Sequence, residues 1–216
     1  MSLEFDLRNG NIANSRFLDD LLDLSNQKID DLINQLASMQ LIRICENKIA
    51  EMRKQGKIGG PVHLGAGQEA IAVGVSKYLR KSDRVFSAHR SHAHILALGS
   101  NPRALFAEVL GRATGLSKGM GGSMHLWDQP NGFYGSVPIV AGTVPLAVGA
   151  GLAAKMQQTD DISVAYFGDG AAEEGVVHES LNLAKQLNIP LLFVCENNLF
   201  SSHMHISQRQ PIQSVA

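Results

Sequence analysis

The sequence predicts an α/β fold: a mostly parallel sheet flanked by helices, with an N-terminal helical extension. Three observations carry that reading. The last third alternates apolar runs of β-forming residues with a helical pattern, a charge-free stretch rich in alanine and glycine precedes it, and a long helical periodicity fills the N-terminal part.

The last third is the most explicit. Ile162 to Phe167 is a short apolar run, Glu173 to Leu187 sets Val177, Leu181, Ala184 and Leu187 on one helical face, and Ile189 to Cys195 is a second apolar run. Strand, helix and strand over about thirty residues form a βαβ unit, whose strands run parallel. Upstream, Pro145 to Lys155 reads as a helix of small residues suited to close packing. Gln68 to Leu79, Ala93 to Leu98 and Pro102 to Leu110 read as further helices, the last opened by a proline whose missing N–H costs nothing in a first turn. Asp30 to Lys54 places Leu32, Leu36, Met39, Ile42 and Ile49 at helical spacing and stops at Gln55-Gly56. Residues 1–58 are therefore expected to form the extension and 59–216 the sheet-bearing domain. Gly111 to Gly142 is dense in glycine and is expected to be a long irregular loop, the kind that binds a ligand.

Composition narrows the function classes. With 44% hydrophobic residues the 216-residue chain can bury a core, and a formal net charge of −1 offers no field for nucleic acid or an acidic membrane. Cys45 and Cys195 are too few and too far apart for a disulfide framework, and the acidic N-terminus does not resemble a secretory signal, so a cytoplasmic location is expected. Gly132 to Ala154 carries no charge and is long enough to span a bilayer, but its prolines, glycines and alanines suit a buried segment better.

The chemistry concentrates at the ends of the two strands. The first ends at Gly168-Asp169-Gly170-Ala171 and the second at Glu196-Asn197-Asn198. Parallel strands end on one edge of the sheet, where ligands of open α/β sheets bind. Asp169 and Asn198 offer a carboxylate and an amide oxygen, ligands that suit Mg²⁺, which takes few protein groups and completes its shell with phosphates and water. Gly170 and Ala171 leave room at a helix start, where backbone N–H groups favour an anion. The set describes a magnesium-bridged diphosphate.

Gly-Asp-Gly, 26 intervening residues and Asn-Asn resemble the thiamine-diphosphate fingerprint. The passages HLGAGQEA (63–70), FSAHRSHAHILALG (86–99), GRATGLSKGMGGSMHL (111–126), GTVPLAVGAGLAAK (142–155), GDGAAEEGVVHESLNLAKQLNIP (168–190) and FVCENN (193–198) are similar to the alpha subunits of 2-oxo acid dehydrogenases: pyruvate, branched-chain and acetoin dehydrogenases. The resemblance implies the thiamine-diphosphate-binding fold over 59–216, cut short at its C-terminus, because those subunits continue beyond the position of Ala216. It implies that Asp169, Asn198 and the Phe200 carbonyl hold Mg²⁺. Gly168, Gly170, Ala171, Arg90 and His89 would line the diphosphate, Ile139 and Val140 would lie near the aminopyrimidine, and catalytic His63 would face the reacting end. It further implies oxidative decarboxylation of a pyruvate-like 2-oxo acid, with the activating glutamate on a beta subunit. The assembly would be a heterotetramer, the acyl group would pass to a lipoyl-bearing acyltransferase component, and the chain alone would be inactive.

The sequence departs from that pattern at His89 and Phe200, both positions where the family usually has tyrosine, and in the run Ser201 to His205. These departures leave open an acetoin-cleaving or transketolase-like thiamine enzyme, and the short length leaves open a non-catalytic remnant. Two other patterns compete. Gly149-Ala150-Gly151-Leu152-Ala153-Ala154 matches a dinucleotide-binding fingerprint, but inside a helix rather than at a strand-to-helix turn. His89, His92 and His94 are spaced like zinc ligands, as are His203 and His205, without a cysteine or carboxylate beside them to complete a set.

Overall fold

A computed structural model describes residues 27–211 and Val215. The part of the expected N-terminal extension before residue 27 lies outside the described residues. The first described helix, α1, spans Ile29–Lys54, with Asp30 and Asp31 in its first turn and Arg53 and Lys54 in its last, each sign set against the helix dipole that favours it. Two compact units divide within it, between Asn34 and Gln35. From Gln35 onward its buried positions are Ile42, Cys45, Glu46 and Ile49, whereas Leu36, expected in the buried stripe, is 54% exposed.

The sheet-bearing unit continues with α2 (Glu69–Ser76), β1 (Arg84–Ser87), α3 (His92–Ala97), α4 (Pro102–Val109), β2 (Phe133–Ser136), α5 (Val144–Met156), β3 (Ser163–Gly168), α6 (Gly175–Gln186) and β4 (Leu191–Glu196). A two-stranded hairpin of β5 (Phe200–Ser201) and β6 (Met204–His205) follows. The four long strands pair in the order β2-β1-β3-β4, and all pairs are parallel. The βαβ unit is thus present as expected. Strands β1 and β2 are additions: each has only four residues, too short for alternation to stand out. In β2 the pairing skips Tyr134 next to Gly135, whose φ of 146° few other residues adopt, so a bulge interrupts its register with β1.

Strand β3 is buried on both faces, as a central parallel strand must be. Its alternate residues feed two cores. Val164 and Tyr166 join Val85, Phe133, Ile42, Ile95 and Leu105, while Ala165 and Phe167 meet the α5 and α6 side through Ala147, Val144 and Val177. On α6 the buried positions are Val177, Ser180 and Ala184; Leu181 and Leu187, expected to share that face, are 42% and 36% exposed. No helix among the described residues is long and apolar enough to cross a membrane, and the charge-free stretch supplies β2 and α5 instead.

The glycine-dense segment after α4 is defined by one carboxylate. Glu108, fully buried near the end of α4, accepts N–H bonds from Ser117 (2.6 Å) and Gly119 (2.9 Å) on one oxygen, and from Gly121 (2.6 Å) and Gly122 (3.2 Å) on the other. A buried carboxylate needs such compensation. The glycines let the chain wrap it closely: a Cβ on Gly115 would stand 2.5 Å from the Glu108 Cα, and one on Gly121 would stand 2.0 Å from the His125 carbonyl oxygen. The segment expected to bind a ligand thus spends these donors on its own preceding helix.

The dinucleotide-like pattern lies inside helix α5 rather than at a strand-to-helix turn. A Cβ on Gly151 would meet Ile189 Cγ2 at 2.6 Å and the Pro190 carbonyl at 3.2 Å, so this glycine lets the helix sit against the start of β4. Gly149 is exposed and a Cβ there meets nothing within 4 Å. The two glycines should therefore respond oppositely to alanine. Thermal and urea denaturation should find Gly149→Ala stabilising by about 0.5–1 kcal/mol, from helix propensity. Gly151→Ala should destabilise by roughly 1–3 kcal/mol, from overpacking. Equal responses would contradict the packing described.

Candidate functional site

All four long strands end on one edge, and the residues that follow each of them line a single cavity of about 380 Å³. Ala88, His89 and Arg90 come from the segment after β1, and Val140 and Ala141 from the segment after β2. Gly168 to Ala171 close β3, and Glu196 and Asn198 close β4; His63 and Gln68 enter from the passage before α2. The register that unites Asp169 and Asn198 is explicit, since Gly168 pairs with Glu196 in the β3–β4 ladder. Of the residues expected at the site, His63, His89, Arg90, Val140, Gly168, Asp169, Gly170, Ala171, Asn198 and Phe200 all line this cavity. Ile139 does not. It is 70% exposed at a turn closed by the Gly142 N–H to the Ile139 carbonyl (3.0 Å), and its side chain lies over Gly142 rather than inward.

Each polar group has local support. Asp169 is 1% exposed at the end of β3. The Asn198 side-chain oxygen accepts the Phe200 N–H (2.9 Å), which fixes its amide, and an amide oxygen has a second lone pair to offer. Gly170 is required by close approach: a Cβ there would stand 2.5 Å from Ser201 Oγ, so the open side of this glycine is packed against the β5 hairpin. One Arg90 nitrogen donates to the Leu64 carbonyl (2.7 Å), which ties the His63 passage to the cavity wall. His63 and His89 meet edge to face at 4.6 Å between ring centroids.

Further contributors to the site were not expected from the sequence. Glu196 lines the cavity, and its carboxylate bonds His94 Nε2 (3.1 Å), whose other ring nitrogen is within 2.9 Å of Ser87 Oγ. Its position inside the CENN run was the available signal. Ser201, Ser202 and His203 also line the cavity. Arg209 pairs with the Asp169 carboxylate, and nothing in its surroundings in the sequence marks it.

The histidines do not form a metal set. His92 is buried between Glu46 (3.1 Å) and Ser123 (2.9 Å), His94 turns to Ser87 and Glu196, and His89 meets His63 edge to face. Among the described residues no three His, Cys, Asp or Glu side chains gather into a candidate metal cluster. Cys195, beside the site, has its thiol pushed up to about 12 by burial and then by the nearby Asp169 charge, so it is no nucleophile at neutral pH.

Burial lowers the pKa of both His63 and His89. For His63 the positive charge of Arg90 adds to it, and for His89 its neighbour His63 and then Arg90 do, while Glu196 acts in the opposite direction. Both imidazoles are then neutral at pH 7, and the site's fixed positive charges are Arg90 and Arg209. The sign of the linkage follows: the unfolded chain takes up these protons first, so stability falls as pH drops below about 6.5, the ordinary imidazole value. Calorimetric melting between pH 8 and pH 5.5 should show that loss, and His89→Gln should flatten it. An unchanged slope in the variant would assign the effect to other groups.

The family described as the dehydrogenase E1 component matches residues 37–212. The chain is 45% identical over 175 residues to the alpha subunit of acetoin:2,6-dichlorophenolindophenol oxidoreductase from Bacillus subtilis, covering 81% of this chain and 53% of that protein. It is 42% identical over 172 residues to the pyruvate dehydrogenase E1 component subunit alpha of Rickettsia prowazekii, covering 80% of this chain and 53% of that one. Against the corresponding subunit of Rhizobium meliloti it is 42% identical over 181 residues, covering 84% and 52%. The chain spans about half the length of the curated relatives it matches. With its cavity at the parallel-strand ends and this match across most of its length, the chain belongs to the dehydrogenase E1 component family.

Proposed function

We propose that the chain binds the magnesium-diphosphate end of thiamine diphosphate and acts as the alpha subunit of a 2-oxo acid dehydrogenase. The observation that carries the proposal is the meeting of Asp169 and Asn198 in one cavity, at adjacent parallel strand ends, in a member of this family. The donor set fits the group. A buried carboxylate, an amide oxygen and a backbone carbonyl are hard ligands for Mg²⁺, and an arginine on the same cavity suits phosphate oxygens.

In this reading Asp169, Asn198 and the Phe200 carbonyl hold the metal. Arg90 and the backbone at Gly168, Gly170 and Ala171 position the diphosphate, and neutral His89 can donate one hydrogen bond to it. His63 holds or moves a proton at the reacting end, and Val140 covers the aminopyrimidine. Thiamine diphosphate, when bound, supplies the carbon nucleophile and the electron sink that loss of CO₂ requires. The chain's own contribution is orientation, exclusion of water and a fixed charge distribution. The glutamate that activates the cofactor is assigned to a beta subunit, and the acyl group's acceptor to a lipoyl-bearing acyltransferase component.

A second reading has one specific observation in its favour. The Bacillus subtilis relative named for acetoin is as similar to this chain as the pyruvate dehydrogenase subunits are. Pyruvate and acetoin, each offered to the assembled enzyme with a dye acceptor, distinguish the two.

Calorimetric titration of the assembled protein tests the binding reading. Asp169→Ala should weaken Mg²⁺–thiamine diphosphate by tenfold or more, through loss of a charged metal ligand. Arg90→Ala should weaken thiamine diphosphate by roughly 1.5–3 kcal/mol, the worth of a hydrogen bond to a charged group, and leave unphosphorylated thiamine nearly unaffected. Unchanged affinity in Asp169→Ala, or equal losses for both ligands in Arg90→Ala, would contradict the assignment.

A further inference from the structure

We infer that Arg209 is an internal counter-cation for the metal carboxylate, and that it sets the affinity of this site for a divalent ion by competing for Asp169. The inference rests on the proposed metal site and goes beyond it. The Arg209 guanidinium pairs with the Asp169 carboxylate through one terminal nitrogen and with Glu173 through the other, and its Nε donates to the Met204 carbonyl (3.2 Å). Its side chain is 6% exposed, and the Asp169 side chain 2%.

Chemistry gives the pair its meaning. An ionised carboxylate this buried needs a compensating positive charge. The Arg209 guanidinium supplies that charge. The oxygen of Asp169 that Arg209 holds cannot at the same time face a metal ion along the same direction. Two positive charges at one carboxylate also repel each other. Divalent ion and arginine are therefore alternatives at that oxygen.

The surroundings make the pair a clamp on a defined segment. The β5–β6 hairpin and the turn after it are fixed by the Ile206 N–H to the Leu199 carbonyl (2.8 Å), and by fully buried Ile206. Gln210 adds a bond to Glu173 (2.9 Å) next to the arginine. Loading the metal would release Arg209 from Asp169 and remove the main charged tie between this segment and the end of β3. A competitor that occupies the carboxylate most of the time reduces the apparent metal affinity by the fraction of chains in which the carboxylate is open. Removing it should raise that affinity roughly tenfold if the pair is closed in about nine chains of ten.

Free Mn²⁺, followed by its electron paramagnetic resonance signal in the presence of thiamine diphosphate, gives a direct reading on the assembled protein. Arg209→Ala should bind Mn²⁺ at least fivefold more tightly than the parent. Without divalent ion it should melt at a lower temperature than the parent, because Asp169 loses its counter-charge, and saturating Mn²⁺ with thiamine diphosphate should narrow that difference. Should Arg209→Ala not fold, Arg209→Gln, which keeps most of the side chain's volume and removes its charge, should shift the affinity in the same direction. Equal or weaker Mn²⁺ binding in the folded variant, with clear binding by the parent, overturns the inference and leaves the metal site standing. If neither protein binds Mn²⁺, both the metal site and the competition fall.

Discussion

The in-register parallel pairing of β3 with β4 is the constraint on which the rest of the site depends. Gly168 stands opposite Glu196, so the residues just beyond them, Asp169 on one strand and Asn198 on the other, open into one space. In a parallel ladder the register has no turn to set it; it is set by what each strand buries. Strand β3 buries side chains on both faces, with Val164 and Tyr166 in one core and Ala165 and Phe167 in the other. A slip of one residue would exchange those faces and carry the Asp169 carboxylate away from the cavity. The apolar core thus positions a charged group.

The polar interior serves the same end by different means. Glu46 joins His92 to the Gly65 N–H (3.0 Å), and His92 joins Ser123, so four passages distant in sequence share one buried network. Glu108 gathers four backbone N–H groups of the glycine-dense segment. His94 links the ends of β1 and β4 through Ser87 and Glu196 while packing on Tyr166 at 3.9 Å between ring centroids. Each of these side chains is buried with partners in place, the condition under which a polar interior specifies one arrangement instead of destabilising the fold. The loops that carry the cavity are consequently tied to the helices behind them.

The βαβ unit and the residues at its two ends were legible because their signal is local: two apolar runs, a helical face between them, and chemistry-bearing residues where each run stops. The proline start of α4 was legible for the same reason, and Asn101 caps it by accepting the Arg103 N–H (2.8 Å). What escaped was non-local. Strands β1 and β2 have four residues each and exist through their neighbours, and the bulge at Tyr134 hides the alternation further. Leu36 and Leu181 carry the right spacing for a buried face and are exposed, because periodicity gives the direction of a stripe and not its width. The glycines from 111 to 122 signal close backbone approach without saying to what; Gly115 packs on Glu108, and Gly119, Gly121 and Gly122 give it their N–H groups. Arg209 is the clearest case: a single arginine in an irregular stretch, meaningful only because the chain returns to the end of β3.

The most direct measurement is the position of a divalent ion in crystals of the assembled protein grown with Mn²⁺ and thiamine diphosphate, read from anomalous scattering. One strong peak is expected within coordinating distance of both the Asp169 carboxylate and the Asn198 amide oxygen, at the C-terminal edge of β3 and β4. A peak elsewhere, or cofactor density with no ion at Asp169, would contradict the assignment.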